Sequence, residues 1–267
     1  MRLILLRSDT GSALVFCSFV FVLFREGLSS YVLLIGATCI LLFILALLAN
    51  QYILIGIYFI LIISAYFILR KRIRKLNIWI FICTFIGASL FTLAVDFVFE
   101  NVLEPHQKDR IEVLLGKKED FKGVGYNVNQ SKIAIGSGGI TGKGFLNGTQ
   151  TKFNFVPEQD TDFIFCTIGE EWGFIGASLT VIIFIFLCAK LIKMAERQRS
   201  KFARIYGYSV ASIIFFHFFV NIGMTIGLLP VIGIPLPFIS YGGSSLWAFT
   251  FLLFIFIKQD ALRQELI

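Results

Sequence analysis

Long apolar stretches separated by short polar segments dominate the chain. Residues 31–69 and 205–257 each run without a single Asp, Glu, Lys or Arg. A helix needs roughly 20 apolar residues to cross the hydrocarbon core of a bilayer, so each stretch is long enough for two spans. Apolar and polar residues do not alternate in these segments, which favours helices over strands. The pattern predicts spans at 10–24, 31–49, 52–69, 77–97, 165–189, 205–229 and 239–257.

The predicted fold class is therefore an all-α polytopic membrane protein with about seven transmembrane helices and one large structured extracytoplasmic loop. The predicted organisation is four N-terminal spans in residues 1–97, the loop in residues 98–161, and three C-terminal spans with a short tail in residues 162–267. The loop contains aromatic residues and eight glycines between positions 123 and 148. This composition argues against disorder and predicts tight turns and short helices.

Composition and charge support this interpretation. The chain is 57% hydrophobic and 15% charged, whereas a soluble domain has about 25% charged residues. The net charge of +7 is concentrated in two segments: 70–75 has five bases and no acid, and 190–204 has six bases and one acid. The positive-inside rule makes both segments and the C-terminal tail cytoplasmic, and the loop extracytoplasmic. The bases are expected to face anionic membrane lipids, so nucleic acid is not a predicted partner.

Cysteine and histidine usage predicts no metal site. The five cysteines lie in or beside apolar segments without C-x-x-C spacing and are interpreted as small apolar side chains. His217 has no second ligand near it in the sequence. His217 and Asn221, one turn apart in the sixth span, are expected to make interhelical hydrogen bonds.

The first candidate site is the glycine-rich segment 135–145. It is not a Walker motif, because Gly144 stands where Ser or Thr would follow the lysine. Two interpretations remain open. Successive backbone N–H groups could converge on an anion, with Lys132 and Lys143 adding charge, or the glycines could serve only the turns of the loop.

The second candidate is the segment 155–163, where acidic residues run directly into an apolar span. One interpretation is a capped helix, with Asp160 or Thr161 as N-cap and Asp162 in the first turn. The other is a carboxylate held at the outer membrane surface, near the lysines of the loop, as a general base.

Two further features are a pair of acids inside the span that follows Asp162 and an irregular apolar segment between the last two spans. Glu170 and Glu171 are two turns deeper in the span, where acids are costly, so they are predicted to pair with loop bases or line a groove. The segment 227–245 is apolar but broken by Pro and Gly. Irregular backbone at that depth is tolerated only where protein buries it or a cavity hydrates it, and such breaks are typical of substrate sites.

In the segments 135–145, 155–163 and 227–245 the sequence resembles the SEDS family of shape, elongation, division and sporulation proteins. Within that family it resembles the rod-shape-determining RodA branch. The matching stretches are 105–111, 123–139, 142–144, 148–150, 157–158, 161–163, 170–171, 221–224 and 235–244. Together they cover residues 105–257 almost continuously.

The resemblance implies a peptidoglycan glycosyltransferase that polymerises glycan strands from lipid II, releases undecaprenyl diphosphate and serves cell elongation and rod shape. It implies that Asp162 is catalytic. The acceptor hydroxyl must lose a proton as it attacks the anomeric carbon, and a carboxylate can take that proton. Arg110, Lys132 and Lys143, with or without Mg²⁺ or Mn²⁺, are candidates for stabilising the diphosphate. Further candidate substrate-binding residues are Glu171, Ser240, Gly242 and Gly243.

The resemblance also implies partners and a location. The partners are lipid II, the nascent glycan strand, membrane lipids, the elongation machinery and a class B penicillin-binding protein, and the location is the bacterial cytoplasmic membrane. Two departures stand out. Asp160 occupies a position where many members have His, and residues 7–12 resemble a Gln-Pro-Asp-Leu-Gly-Thr segment that lies mid-protein in full-length members. The chain is therefore expected to lack upstream helices, and the alternatives are a lipid-linked precursor transporter or flippase, or an inactive remnant that only binds partners.

Overall fold

The computed structural model describes residues 10–72, 78–117 and 124–264, and its regular structure there is helical. The helices are α1 (Thr10–Val15), α2 (Phe19–Arg25), α3 (Ser30–Leu48), α4 (Gln51–Arg72), α5 (Ile78–Asn101), α6 (Pro105–Leu114), α7 (Val124–Ser137), α8 (Thr149–Lys152), α9 (Ile164–Glu196), α10 (Lys201–Thr225) and α11 (Gly243–Ala261). Parts of the basic segment 70–75, of the segment 7–12, of the C-terminal tail and of the large loop lie outside the described residues.

Five described helices are long and apolar enough to cross a membrane, namely α3, α4, α5, α9 and α10. They confirm the all-α polytopic membrane fold. The first predicted span is a shorter apolar stretch, Ala13–Arg25, that contains a 3₁₀ turn at Phe16–Ser18. The last predicted span corresponds to α11, which is not one of the five. A total of seven spans stays a prediction.

The chain forms two compact units. In the unit Ser29–Asp109, α5 packs against both α3 and α4. The Thr92 hydroxyl donates to the Tyr58 hydroxyl over 3.5 Å in the interior of this unit. The other unit consists of Met1–Leu28 and Arg110–Ile267, and it contains every residue predicted for the site. The division of the chain into N-terminal spans, loop and C-terminal spans at residues 97 and 161 stays a prediction.

Buried apolar side chains of α2, α9, α10 and α11 form the main core of the larger unit. Phe184 of α9 stacks on Phe218 of α10 with ring centroids 4.9 Å apart, and Phe256 of α11 is fully buried. Near the end of the helices distant from the predicted site, Arg25 pairs with Glu196 over 2.8 Å. These contacts pack together the helices that position the site.

Helix α9 is interrupted at Gly173, which has φ 62° and ψ −160°. Because of the interruption, the N–H groups that follow Gly173 do not bond to the preceding turn of α9. Carbonyls of the glycine-rich segment accept from them instead. The N–H groups of Phe174 and Ile175 donate to the carbonyls of Gly139 and Ile140 over 2.9 and 3.1 Å. The glycine-rich segment is therefore fastened to the middle of α9.

Close approach of the two backbones explains why glycine is needed at position 142. Gly142 has φ +81°, and a Cβ there would overlap the carbonyl of Glu171. Gly136, in the preceding helix α7, has open space around the corresponding position.

We expect Gly142→Ala to lower the free energy of unfolding by about 1–3 kcal/mol, because the side chain is strained by φ and by the overlap. Gly136→Ala is the matched control and is expected to be neutral or stabilising by up to about 1 kcal/mol. Melting temperatures of the two purified variants in detergent measure the difference. Equal melting temperatures would contradict the close-approach explanation.

Candidate functional site

Asp162 lies in a turn immediately before α9, not inside the helix. The helix begins at Ile164 and its N-cap is Phe163, whose apolar side chain cannot accept a capping bond. The prediction of Asp160 or Thr161 as N-cap, with Asp162 in the first turn, is therefore wrong. The turn is closed by Glu158, whose carbonyl accepts from the N–H groups of Thr161 and Phe163 over 3.2 and 3.0 Å.

Three successive carbonyls of this turn are held from outside it. The carbonyl of Asp160 accepts from the Tyr241 N–H over 2.7 Å. The carbonyl of Thr161 accepts from the Ser240 hydroxyl over 2.6 Å, and the carbonyl of Asp162 accepts from the Asn221 amide over 2.8 Å. Tertiary bonds of this kind replace the helix cap that the local sequence favoured. We refer to them below as the carbonyl clamp.

The segment that supplies the clamp is the Pro- and Gly-broken stretch between α10 and α11. It is irregular, and its middle lies inside the protein, where Ile234 and Leu236 are 1% and 0% exposed, whereas Leu228 and Tyr241 near its two ends are 71% and 81% exposed. The Ser240 hydroxyl also accepts from the Leu236 N–H over 2.7 Å. His217 of α10 bonds to the Pro235 carbonyl over 3.2 Å. Of the two predicted settings for this irregular backbone, burial by protein or a hydrated cavity, the structure shows burial by protein for its middle part.

The two glycines predicted beside Ser240 form the start of the last helix. Gly242 is the N-cap of α11 with φ 156°, and Gly243 is its first residue. Ser240 uses its hydroxyl proton and an acceptor site within the protein, so in this structure it positions backbone.

The Asp162 carboxylate is half-buried and packs against backbone. A Cβ placed on Gly233 would lie only 3.2 Å from its Oδ2 atom. Burial raises the pKa of the Asp162 carboxyl above its usual range, and the Glu158 charge raises that pKa further, while Arg110 opposes both. Asp160, two residues away, is exposed. Of the two neighbouring acids, Asp162 therefore has the environment of a tuned base.

Arg110 of α6 and Lys132 of α7 line one small cavity of about 30 Å³ together with the start of the broken segment at Leu229 and Pro230. The Nε atom of Arg110 is buried and has no hydrogen-bond partner among the residues that the structure describes. The Lys132 side chain lies against Gly227, and a Cβ there would come within 2.6 Å of Nζ. Two of the three predicted cations thus line one cavity, and Arg110 is also close enough to Asp162 to act on its pKa.

Lys143 belongs to a different cluster. Its ammonium lies 2.7 Å from the carboxylate of Glu170, which is completely buried. The same carboxylate accepts from the N–H groups of Gln150 and Thr151, both over 2.9 Å. Of the two predicted roles for these acids, pairing with loop bases or lining a groove, the structure shows pairing for Glu170. This ion pair fastens the loop to α9, and the charge of Lys143 is already compensated.

Backbone N–H groups of the glycine-rich segment are also committed. Lys143 and Gly144 donate to the carbonyls of Glu170 and Glu171, each over 3.0 Å, and Gly142 donates to Gly138 over 2.9 Å. Glu171 itself is 7% exposed. Groups that donate within the protein cannot converge on an anion, so the geometry favours the interpretation in which the glycines serve the fold.

Sequence reasoning missed the roles of Asn221 and Glu158. Asn221 was expected to bond to another helix, but it bonds to the Asp162 turn and to the Ile234 carbonyl. It lies 59 residues from Asp162, and nothing in the local pattern connects the two. For Glu158 the closeness to Asp162 was visible, but its left-handed φ of 58° was not.

These features define a polytopic α-helical membrane protein with a half-buried carboxylate just before a long apolar helix and an arginine that acts on it electrostatically. The family of FtsW/RodA/SpoVE cell cycle proteins matches residues 11–264, and the chain belongs to this family. The resemblance to SEDS proteins is thereby confirmed.

Several relatives carry informative names. The peptidoglycan glycosyltransferase MrdB of Escherichia coli K12 is 42% identical over 163 residues, covering 60% of this chain and 44% of the relative. The peptidoglycan glycosyltransferase RodA of Treponema pallidum is 37% identical over 174 residues, covering 65% of this chain and 40% of the relative. The chain thus spans less than half the length of these relatives.

A solved structure is also similar. Its description is "Structural coordination of polymerization and crosslinking by a peptidoglycan synthase complex". The TM-score is 0.65 at 25% identity, and the match covers 98% of this chain and 58% of that one.

We expect Lys143→Met to lower the free energy of unfolding by roughly 2–4 kcal/mol, because it leaves the buried Glu170 carboxylate without its cation. Lys132→Met removes an exposed ammonium and should change stability by less than about 0.5 kcal/mol. Thermal unfolding in detergent compares the two. Equal stability of both variants would show that the Lys143–Glu170 pair does not fasten the loop.

Proposed function

We propose that this chain forms the catalytic part of a peptidoglycan glycan-strand polymerase that uses lipid II, with Asp162 as general base. The observation that carries the proposal is the position of Asp162: it is not a helix cap, it is half-buried, and the carbonyl clamp fixes its backbone beside Arg110. The names of the relatives support this class of reaction.

In the proposed step the acceptor sugar hydroxyl gives its proton to the Asp162 carboxylate as its oxygen attacks the anomeric carbon of the donor. The new C–O bond forms while the bond from that carbon to the diphosphate oxygen breaks, and undecaprenyl diphosphate leaves with the electron pair. A carboxylate with a raised pKa accepts a proton from the hydroxyl more readily than an ordinary one. One acid suffices, because diphosphate is a good leaving group.

Arg110 and Lys132 are proposed to stabilise the charge that develops on the diphosphate. Two observations at one cavity support this assignment: the Nε donor of Arg110 has no partner among the described residues, and the Lys132 side chain is exposed. Lys143 is assigned to the fold instead, since Glu170 compensates it. Ser240, Gly242 and Gly243 support the turn and the start of α11, and Glu171 stays a candidate for contacting substrate.

A divalent cation, Mg²⁺ or Mn²⁺, is part of the proposal. Within residues 10–72, 78–117 and 124–264, no three acidic, His or Cys side chains form a complete metal site. Magnesium is usually held by one or two carboxylates together with substrate phosphates. Asp162 must stay free to accept a proton, so the neighbouring exposed carboxylate of Glu158 is the one that fits this pattern. The cation would neutralise diphosphate charge when bound.

The proposed location is the bacterial cytoplasmic membrane, with the basic segments and the C-terminus in the cytoplasm and the Asp162 turn at the outer face. The proposed partners are lipid II, the growing strand, the elongation machinery and a class B penicillin-binding protein. The similar structure, named for polymerisation and crosslinking, supports a crosslinking partner.

We expect Asp162→Asn to lower the rate of lipid II polymerisation by at least about 100-fold, because general base catalysis is worth about 10²–10⁴ in rate. Asp160→Asn is the matched control: it is exposed, has the same chemistry and should retain activity within about threefold. Gel analysis of labelled lipid II incubated with the purified proteins measures both rates.

Undiminished strands from Asp162→Asn would contradict the assignment of the base. If all three proteins, wild type included, make no polymer, the polymerase proposal fails and a transporter or an inactive partner-binding protein takes its place.

The pH dependence has a predicted sign. Asp162 must be deprotonated to act, so the rate should fall as pH drops through a pKa above the ordinary value of about 3.9. Glu158→Gln removes a charge that raises this pKa, so the acid limb should move to lower pH. Initial polymerisation rates from about pH 4 to about pH 8 test this, and a shift to higher pH would contradict it.

A further inference from the structure

Asn221, one turn before the end of α10, makes two hydrogen bonds that join separate parts of the site. Its side-chain amide donates to the Asp162 carbonyl and to the Ile234 carbonyl, both over 2.8 Å. The side chain is completely buried. One amide group therefore connects the turn that carries the carboxylate to the irregular segment behind it.

The second of these bonds reaches the surface on which the carboxylate lies. Ile234 follows Gly233, whose Cα is close enough to Asp162 that an added Cβ would lie 3.2 Å from Oδ2. Gly233 has φ +77°, a conformation that requires glycine. Asn221 thus fixes the backbone of Asp162 and the backbone against which its carboxylate packs.

The orientation of the Asn221 amide follows from its partners. Both neighbours within 2.8 Å are carbonyl oxygens, so the nitrogen must face them. The Oδ1 atom is then left buried without a hydrogen-bond partner in the part of the chain that the structure describes. An unsatisfied buried oxygen is unfavourable for folding, and such groups call for a functional explanation.

We infer that Asn221 is a positioning residue for Asp162: its amide sets the place of the carboxylate without contacting substrate. The inference rests on the proposed polymerase function. Misplacement of a catalytic group by about 1 Å can cost about 100-fold in rate while substrate binding is retained. The expected signature is a loss in kcat with little change in KM.

The variants are Asn221→Asp and Asn221→Ala. Asn221→Asp keeps size and shape but removes both N–H donors and places oxygen against two carbonyls. The matched control is Thr225→Val, one turn further along the same helix. Thr225 is equally buried, and within the described part of the chain its hydroxyl bonds only to the Asn221 and Ile222 carbonyls of its own helix.

In the polymerisation assay we expect kcat to fall about 10- to 100-fold in both Asn221 variants, with KM within about twofold of wild type. Thr225→Val should retain kcat within about threefold. Ser240→Ala, which removes the neighbouring bond to the Thr161 carbonyl, should lower kcat with the same unchanged KM; it serves as the second variant if an Asn221 variant does not fold. A raised KM with normal kcat would overturn the inference in favour of substrate binding.

Amide hydrogen exchange tests the inference without using activity. In Asn221→Ala the amides of Thr161, Leu236 and Tyr241 should exchange at least about tenfold faster than in wild type, because each belongs to the turn or to the segment that clamps it. Thr225→Val should not change them. Unchanged exchange in Asn221→Ala would overturn the positioning role. If wild-type protein makes no polymer, the polymerase proposal fails, and the exchange rates still decide whether Asn221 holds the turn.

Discussion

The site depends on the carbonyl clamp, the three hydrogen bonds from Tyr241, Ser240 and Asn221 to the carbonyls of residues 160–162. Each such bond contributes a net of about 0.5–1.5 kcal/mol, and the three together tie successive residues of the turn to α10 and to the segment before α11. Because of them the chain enters α9 through a turn instead of a capped helix. Asp162 is thereby left half-buried and free of any capping role.

The rest of the unit keeps the two sides of the clamp in place. The core of α2, α9, α10 and α11 fixes Asn221 relative to the start of α9. The Lys143–Glu170 pair and the backbone bonds at Gly173 fasten the loop above it. Tight packing of this kind allows one polar side chain to determine the place of another. The same arrangement brings Arg110 close enough to act electrostatically on Asp162.

Features that depend on local composition could be predicted from the sequence. Runs of apolar residues located the five long helices, because bilayer thickness sets their length. The acids at 170–171 could be predicted to need partners, but the kink at Gly173, where α9 bonds to the glycine-rich segment, could not. The N-cap prediction failed because bonds from residues 59 and 79 positions away outweighed local capping preference. Lys132 and Lys143 both lie in or beside the glycine-rich segment. The sequence therefore could not show that Lys132 lines a cavity with Arg110 while Lys143 pairs with the buried Glu170.

The most direct test of the account is a cryo-electron microscopy structure of the protein with a lipid-linked disaccharide diphosphate and an acceptor glycan bound. The account predicts the acceptor hydroxyl about 2.6–3.2 Å from the Asp162 carboxylate and the diphosphate against Arg110 and Lys132. A diphosphate bound at Lys143, or an acceptor hydroxyl out of reach of Asp162, would contradict it.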